Sequence, residues 1–410
     1  MEYSERYLLM VTTNNNNKYY RMIPSAGGDS FTVEYGRVGA SCQRRTYPMH
    51  SWENKYNEKV RKGYVDQTHL HTVSKPVQSN SSEGDEFMPI KEETVRELID
   101  FLQNCSRQIV RRNYRVKSVD VTMQMVQEAQ RIIDTLTRHV QVEMDISSFN
   151  DTLLKLFTVI PRKMSNVNSY LAAKTDDFAK ILEHEQEILD MMAGQVSQNK
   201  MQEETKKKTA SKKTAKTILD AMGLKIVPVK KTEIMRIKKL LGQDASRFYA
   251  AWKVINKRTQ RNFDDFLKEE GDIETKLLWH GSRNENWISI MQSGLVLRPV
   301  AEITGKMFGE GIYFAPKAHK SLGYTSLEGS YWVGGKSNRA FMALFEVAYG
   351  TPYHTDTSHG ICRNFGYNDL QRRQKGAHCL HAHAGSVLRN DEIIFHKENQ
   401  VTIKYLVEIR

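Results

Sequence analysis

Three short segments near the C-terminal end carry residue types that could do chemistry. The first is Leu277-Leu-Trp-His-Gly-Ser-Arg283, where an apolar run ends in His280, a group able to exchange protons and hydrogen bonds near neutrality. The second is Thr304-Gly-Lys-Met-Phe-Gly-Glu-Gly-Ile-Tyr-Phe-Ala315, followed by Lys320-Ser-Leu-Gly-Tyr324. It offers two tyrosines able to stack on a flat ring. The third is Asn390-Asp-Glu-Ile-Ile-Phe395, followed by Gln400-Val-Thr-Ile-Lys-Tyr405. It opens with carboxylates, which can stabilise a developing cation. A fourth cluster, His378-Cys-Leu-His-Ala-His383, has ligand types from which a three-ligand metal site could be drawn. Its members alternate on an expected strand or loop, and no other segment adds clear metal spacing. It is therefore read as a surface loop, with no metal required. Taken singly, a histidine at a strand end, a tyrosine in an apolar strand or a glutamate opening a strand is ordinary structure.

The elements that must position these groups are short apolar β runs. They are Leu277–His280, Gly311–Ala315, Phe341–Ala348, Glu392–Phe395 and Val401–Val407, after a strand-like Leu224–Val229 and helix-like stretches at 231–241 and 247–256. Strands follow one another without regular helical crossovers, so this region is an α+β domain dominated by antiparallel sheet. No P-loop is present, and no GxGxxG follows a strand. Any nucleotide is held in another way than in a Rossmann fold.

Upstream the pattern changes twice. Residues 6–49 read as β, with a hairpin signal in Thr12-Thr-Asn-Asn-Asn-Asn17, because Asn tolerates positive φ. A basic amphipathic helix is predicted from Ser51 to Lys62, ended by Gly63. Residues 72–88 are polar and turn-rich. Residues 89–195 then show a 3.6-residue period: Val95, Leu98, Ile99 and Leu102 form one stripe, and Met125, Ala129, Ile132, Ile133, Leu136 and Val140 a second. Leu153, Leu154, Phe157 and Ile160 end at Pro161, and Phe178, Ile181, Leu182, Ile188, Leu189 and Met192 form a last stripe. Several amphipathic helices with no strand between them predict a helical bundle.

Composition bounds the partners. The chain of 410 residues is long enough for two or three domains. Its 60 Lys+Arg against 48 Asp+Glu give a net charge of +12, which favours a polyanion such as nucleic acid. Cys42, Cys105, Cys362 and Cys379 are scattered, which argues against a zinc finger or a disulfide framework and for a reducing compartment. No apolar run reaches membrane-helix length, and Met1–Val11 lacks the pattern of a secretory signal. Residues 200–217 hold seven Lys and two Glu, and are read as a solvated tether, with nuclear targeting or nucleic-acid contact as the sharper alternative.

Together the three C-terminal segments resemble the poly(ADP-ribose) polymerases, specifically the shorter DNA-dependent type without zinc fingers. His280, Tyr313 and Glu392 fall on that family's His-Tyr-Glu triad, Tyr313-x7-Ser321-x2-Tyr324 matches its nicotinamide pocket, and Gln400 follows Glu392 at the family's interval. The resemblance covers roughly 224–410 and extends more weakly upstream. Tyr35-Gly-Arg-Val-Gly39 resembles the motif of the WGR module, with Tyr35 in place of Trp. The helices resemble the family's regulatory domain, best at Phe157–Pro161 and Phe178–Asp190.

The resemblance implies a multidomain α+β protein. Its parts are a small β-rich WGR-like DNA-binding domain (1–75), a linker (76–88), an all-α regulatory and autoinhibitory bundle (89–199), a Lys-rich linker (200–217) and a mixed antiparallel-β ADP-ribosyltransferase domain (218–410). NAD is the implied substrate. His280, Tyr313 and Glu392 are the expected catalytic residues. His280, Gly281, Ser282, Arg298, Tyr313, Ser321 and Tyr324 are expected to bind NAD, with Ser282 and Arg298 on its ribose and adenine-phosphate side. A glutamate at 392 implies polymer formation, since family members limited to single adducts usually carry an apolar residue there. Tyr35, Arg37, Lys55 and Lys59 are the expected DNA contacts, Arg37 having a pairing within its own sheet as its structural alternative. The implied partners are DNA breaks or ends, protein acceptors including the chain itself, and an accessory factor at the active site. The implied location is nuclear if the source is eukaryotic and cytoplasmic otherwise. A mono-ADP-ribosyltransferase and a DNA-binding scaffold with vestigial activity are the alternatives.

Overall fold

The computed structural model describes residues 3–71, 87–114, 121–141, 144–209, 217–271, 273–297, 308–356, 365–385 and 388–410. The chain divides into two compact units, one of residues 1–84 and 108–199, the other of residues 85–107 and 200–410.

The first unit begins with an antiparallel sheet. Its strands are β1 (Arg6–Thr12), β2 (Asn16–Pro24), β3 (Ser30–Arg37), β4 (Gln43–Pro48) and the short β5 (Val65–Asp66), in the order β4-β3-β2-β1-β5. Thr12 pairs with Asn16 across the predicted hairpin, and Asn15 takes a φ of 58°, as Asn permits. Helix α1 (Trp52–Arg61) follows where the basic helix is predicted, and Gly63, at φ 86°, turns the chain after it. Leu8, Tyr20, Met22, Phe31, Val33 and Trp52 form the core of this part. A single turn, α2 (Thr68–His71), closes it.

The helical half of that unit contains the end of α3 (Glu93–Asn113), then α4 (Met123–Gln141), α5 (Ile146–Val159) and α6 (Asp177–Thr209). Asp145 caps α5 by accepting from the Ser148 amide at 2.9 Å, and α5 stops two residues short of Pro161. Phe149 and Phe178 stack at 4.0 Å. Between the helices lies a buried ion pair, Arg162 with Glu185, their side chains 2% and 4% exposed. The Arg162 guanidinium lies over the Tyr114 ring, and its Nε donates to the Asn113 carbonyl at 3.2 Å. Helix α6 runs well into the Lys-rich segment read as a tether. Lys, Glu, Gln and Met there are good helix formers, and the helix simply continues. Residues 210–216 of that segment lie outside the described residues.

The second unit holds α7 (Ile218–Ala221), β6 (Leu224–Pro228), α8 (Lys231–Leu241), β7 (Phe248–Asn256), α9 (Lys257–Glu270), β8 (Thr275–Gly281), α10 (Trp287–Ser293), β9 (Ile312–Phe314), α11 (Ala318–Leu322), β10 (Ala340–Ala348), β11 (Pro352–Thr355), α12 (Tyr367–Arg373), β12 (Cys379–Ala382), β13 (Glu392–Phe395) and β14 (Val401–Ile409). All of the 247–256 stretch read as helical, except Arg247, is strand β7. Trp252, Val254 and Asn256 are buried in alternation on one face, and Ala251 is buried on the other. Two sheets form, with orders β6-β7-β14-β10-β8 and β11-β12-β13-β9. All pairs are antiparallel except β11 with β12. The sheets meet at a seam where Trp279 and Ala315 exchange two backbone hydrogen bonds of 2.9 and 3.0 Å.

The stripe Val95, Leu98, Ile99 and Leu102, predicted for the bundle, packs in this unit's core with Trp252, Phe341 and Phe345. Trp252 donates to Thr94 Oγ1 at 3.3 Å, and Arg339 lies over the Phe101 ring at 4.2 Å. No described helix is long and apolar enough to cross a membrane.

Two stability tests follow from buried charge. Replacing Glu185→Ala strands the Arg162 guanidinium and should cost about 3–5 kcal/mol in chemical denaturation. A change under 1 kcal/mol would show that the pair contributes little. His396, buried just after β13, has its imidazole pushed down to about 4 by burial. The unfolded chain takes that proton near pH 6.5, so it binds more protons than the native state between the two values. The stability this neutral imidazole supports is complete above about pH 6.5 and falls by roughly 3 kcal/mol as pH drops toward 4. Denaturant midpoints across that range should decline less steeply in His396→Gln than in the parent chain.

Candidate active site

The site is built at the seam. Strand β8 alternates, so Trp279 is fully buried and donates its indole N–H to the Leu240 carbonyl at 3.2 Å, while His280 faces the other way. The His280 ring is bounded by Trp287, Phe314 and Phe345, with centroids 6.5, 5.7 and 5.9 Å away. Its Nδ1 lies 3.1 Å from the Tyr313 carbonyl oxygen. A carbonyl can only accept, so Nδ1 carries a hydrogen toward it. The next residue, Gly281, runs against the Ser321 carbonyl so closely that a Cβ would stand 1.9 Å from that oxygen. No flexible tip could move aside there.

Strand β9 supplies Tyr313 between the buried Ile312 and Phe314. Its hydroxyl donates to the Gly309 carbonyl at 2.8 Å and accepts from the Phe308 amide at 3.2 Å. Burial, with the Glu392 charge as a smaller cause, holds this phenol far above its ordinary range, so it stays neutral. Helix α11 carries Ser321, buried, and leads into Tyr324. The Tyr324 ring is 40% exposed and stacks on Trp332 at 5.9 Å, with Tyr331 edge-on to Trp332 at 4.7 Å.

Glu392 opens β13. Ile394 pairs with Tyr313, so Glu392, two residues earlier, lies on the Tyr313 face of the sheet. Its carboxylate is ion-paired with Lys320, both side chains 12% exposed, and Lys320 Nζ also donates to the Asn390 carbonyl at 3.4 Å. Lys320 has no role in the sequence reading although it adjoins Ser321. Its only signal was its place next to Ser321, within the segment that carries the expected nicotinamide pocket. The structure thus gathers His280, Gly281, Tyr313, Ser321 and Glu392 in one unit around the seam, with Tyr324 at the exposed edge. Ser282 Oγ accepts from Asn286 at 3.0 Å. Arg298 lies outside the described residues.

The residues expected to meet DNA are engaged within their own unit. Arg37 donates to the carbonyls of Asn15, Met164 and Ser165 and to the Asn15 side chain, at 2.8–3.1 Å. Lys59 sits over the Tyr20 and Tyr64 rings at 4.4 and 5.6 Å, and its desolvation lowers its pKa. Lys55 lies over Tyr47 and pairs with Glu58 at 3.5 Å. Tyr35 packs near Tyr20, with centroids 6.1 Å apart.

Residues 212–410 match the profile of the poly(ADP-ribose) polymerase catalytic domain, and residues 4–70 match the WGR domain. The chain is 31% identical over 169 residues to the putative poly [ADP-ribose] polymerase-like 100L of Invertebrate iridescent virus 6, covering 41% of this chain and 88% of that protein. The chain belongs to the poly(ADP-ribose) polymerase family. It is also 30% identical over 192 residues to the uncharacterized protein 101L of the same virus, 47% of this chain and 77% of that one. A 75-residue stretch is 45% identical to poly [ADP-ribose] polymerase 2 of Homo sapiens, 18% of this chain and 12% of the human protein. As a member of the family the chain is an NAD ADP-ribosyltransferase, with NAD its substrate.

The closest backbone approach in the site gives its sharpest test. Gly281→Ala places a methyl on the Ser321 carbonyl, so β8 or α11 must shift. NAD-dependent nicotinamide release should fall at least tenfold, while circular dichroism shows a folded chain. Parent-like release would mean that the two segments separate freely.

Proposed function

We propose that this family member builds poly(ADP-ribose) on proteins, itself included, and does so in response to DNA ends. The observation that carries the reading is Glu392, held by Lys320 on the sheet face it shares with Tyr313. In NAD the nicotinamide already leaves as a neutral molecule from a pyridinium, so neither a metal nor an acid at the ring nitrogen is needed. The barrier lies in oxocarbenium character on the ribose. In this reading Gly281 offers its backbone to the carboxamide and Ser321 adds its hydroxyl. Tyr313 and Tyr324 stack on the two faces of the ring. His280 takes a hydroxyl of the adenosine ribose. Glu392 accepts from the nicotinamide ribose and activates the incoming hydroxyl during chain growth. Lys320 holds that carboxylate in place through their ion pair. One electrostatic contribution of this kind is typically worth on the order of 3–4 kcal/mol.

The module at 1–75 senses the DNA end, the helices at 89–199 restrain the transferase at 218–410, and DNA releases the restraint by a population shift. Lys55, Lys59 and Tyr35 present the phosphate-contacting face, and Arg37 keeps its edge rigid through Asn15 and residues 164–165. In a eukaryotic cell this reading puts the protein in the nucleus.

With labelled NAD, the purified chain should automodify slowly and several-fold faster on adding nicked or broken DNA. Glu392→Gln should abolish long chains and slow nicotinamide release by about 10²–10³-fold, leaving single transfer. Chains of unchanged length from that variant would sink the polymer assignment. A rate indifferent to DNA would sink the activation.

A further inference from the structure

The Tyr313 face of the second sheet carries Tyr313 and Glu392 of the candidate active site. The opposite face carries three histidines. His354 lies on the edge strand β11 and is in parallel register with His381 of β12. His383, two residues on, shares the His381 face. The antiparallel register of β12 with β13, His381 to Ile393 and Ala382 to Glu392, brings Asp391 level with His383 on that same face. Glu392 therefore points to one side of the sheet and Asp391, its neighbour, to the other.

One ring nitrogen from each of His354, His381 and His383 lies within 4.8 Å of the others. The rings are layered, with centroids of His354 and His383 at 4.9 Å and of His381 and His383 at 4.2 Å. His354 Nδ1 stands 2.8 Å from His383 Nε2. Asp391 Oδ2 lies 3.0 Å from His381 Nε2 and 3.4 Å from His383 Nδ1. With His383 Nδ1–H facing Asp391, its Nε2 lone pair is turned to His354. A carboxylate behind a histidine, fixing its tautomer, is the usual support for a metal-ligating imidazole. His381 Nε2–H faces Asp391, so its lone pair is on Nδ1, which accepts from the Tyr349 hydroxyl at 2.7 Å and exchanges that bond for a metal ion. His378 is outside the group: its Nδ1 accepts from the Thr351 amide and its Nε2 faces Glu270. Cys379 is fully buried and its thiol donates to the Tyr349 carbonyl.

We propose that His354, His381 and His383, supported by Asp391, form a site for a zinc-class divalent cation on the back of the catalytic sheet. Imidazole nitrogens suit Zn²⁺ and its transition-metal neighbours rather than Ca²⁺ or Mg²⁺, which require oxygen ligands. Two nitrogens at tetrahedral Zn²⁺ stand about 3.3 Å apart. The 2.8 Å contact of His354 with His383 must therefore open by about half an ångström as the ion replaces the shared proton. His354 is exposed, so the ion enters from solvent at the sheet edge. Three protein ligands leave a fourth position for water.

The test uses the untagged full chain, stripped of metal by chelator and titrated with Zn²⁺ alone, then with Ca²⁺ alone. One equivalent of Zn²⁺ per chain and no stoichiometric Ca²⁺ is expected. His354→Ala should lower Zn²⁺ affinity at least tenfold, and the His354→Ala/His383→Ala pair should abolish stoichiometric binding. Asp391→Asn should weaken it about 10–100-fold. His139→Ala, on the exposed side of α4, should bind as the parent does. Substoichiometric Zn²⁺ in the parent chain would overturn the site. So would parent-like affinity in His354→Ala, whose exposed side chain at a sheet edge can be removed without unfolding the chain.

Discussion

The transferase unit depends on one reciprocal pair of backbone hydrogen bonds, Trp279 with Ala315. It joins two sheets that otherwise have separate strand orders. Because a strand alternates its side chains, fixing Trp279 inward obliges His280 to face the site. Fixing Ala315 sets the register of Tyr313 two residues before it. The bond from His280 Nδ1 to the Tyr313 carbonyl then holds the ring. One short seam thus determines two of the three expected catalytic groups. The third arrives through the pairing of β13 with β9.

Charge is handled in the same unit by pairing. Glu392 and Lys320 are both nearly buried, and each makes the other tolerable in a low-dielectric setting. In the other unit Arg162 and Glu185 follow the same rule deep among helices. Arg37 shows a different economy of charge. Its guanidinium is spent on the carbonyls of Asn15, Met164 and Ser165, and Asn15 can serve because its positive φ turns its side chain toward the cluster.

Much of this was legible beforehand, for local reasons. The asparagine-rich hairpin, the helix ending at Gly63 and the stop before Pro161 follow from backbone preferences of single residues. The His, Tyr and Glu segments were legible through their spacing. Other features were not. The stripe from Val95 to Leu102 reads as one face of a bundle helix, and its period is right. A period says that a face is buried, not against what, and here it packs on Trp252 and Phe341. The 247–256 stretch reads as helical, yet all of it after Arg247 is β7, because the buried Ala251 beside Trp252 interrupts the period-2 pattern that marks a strand.

The sequence by itself carried the family and the α+β character, and it singled out three candidate catalytic residues, since these readings depend on residue types at short spacings. Only the tertiary structure decided which side of a sheet each residue serves. His354 and His383 are far apart in the chain but adjacent in space, because β11 and β12 pair in parallel. Asp391 and Glu392 are neighbours in the chain but serve opposite faces, because a strand turns successive side chains apart. The +12 charge, which pointed to nucleic acid, likewise could not say that Arg37 and Lys59 are held by their own unit. Pairing across strands is a long-range event, and no local pattern encodes it.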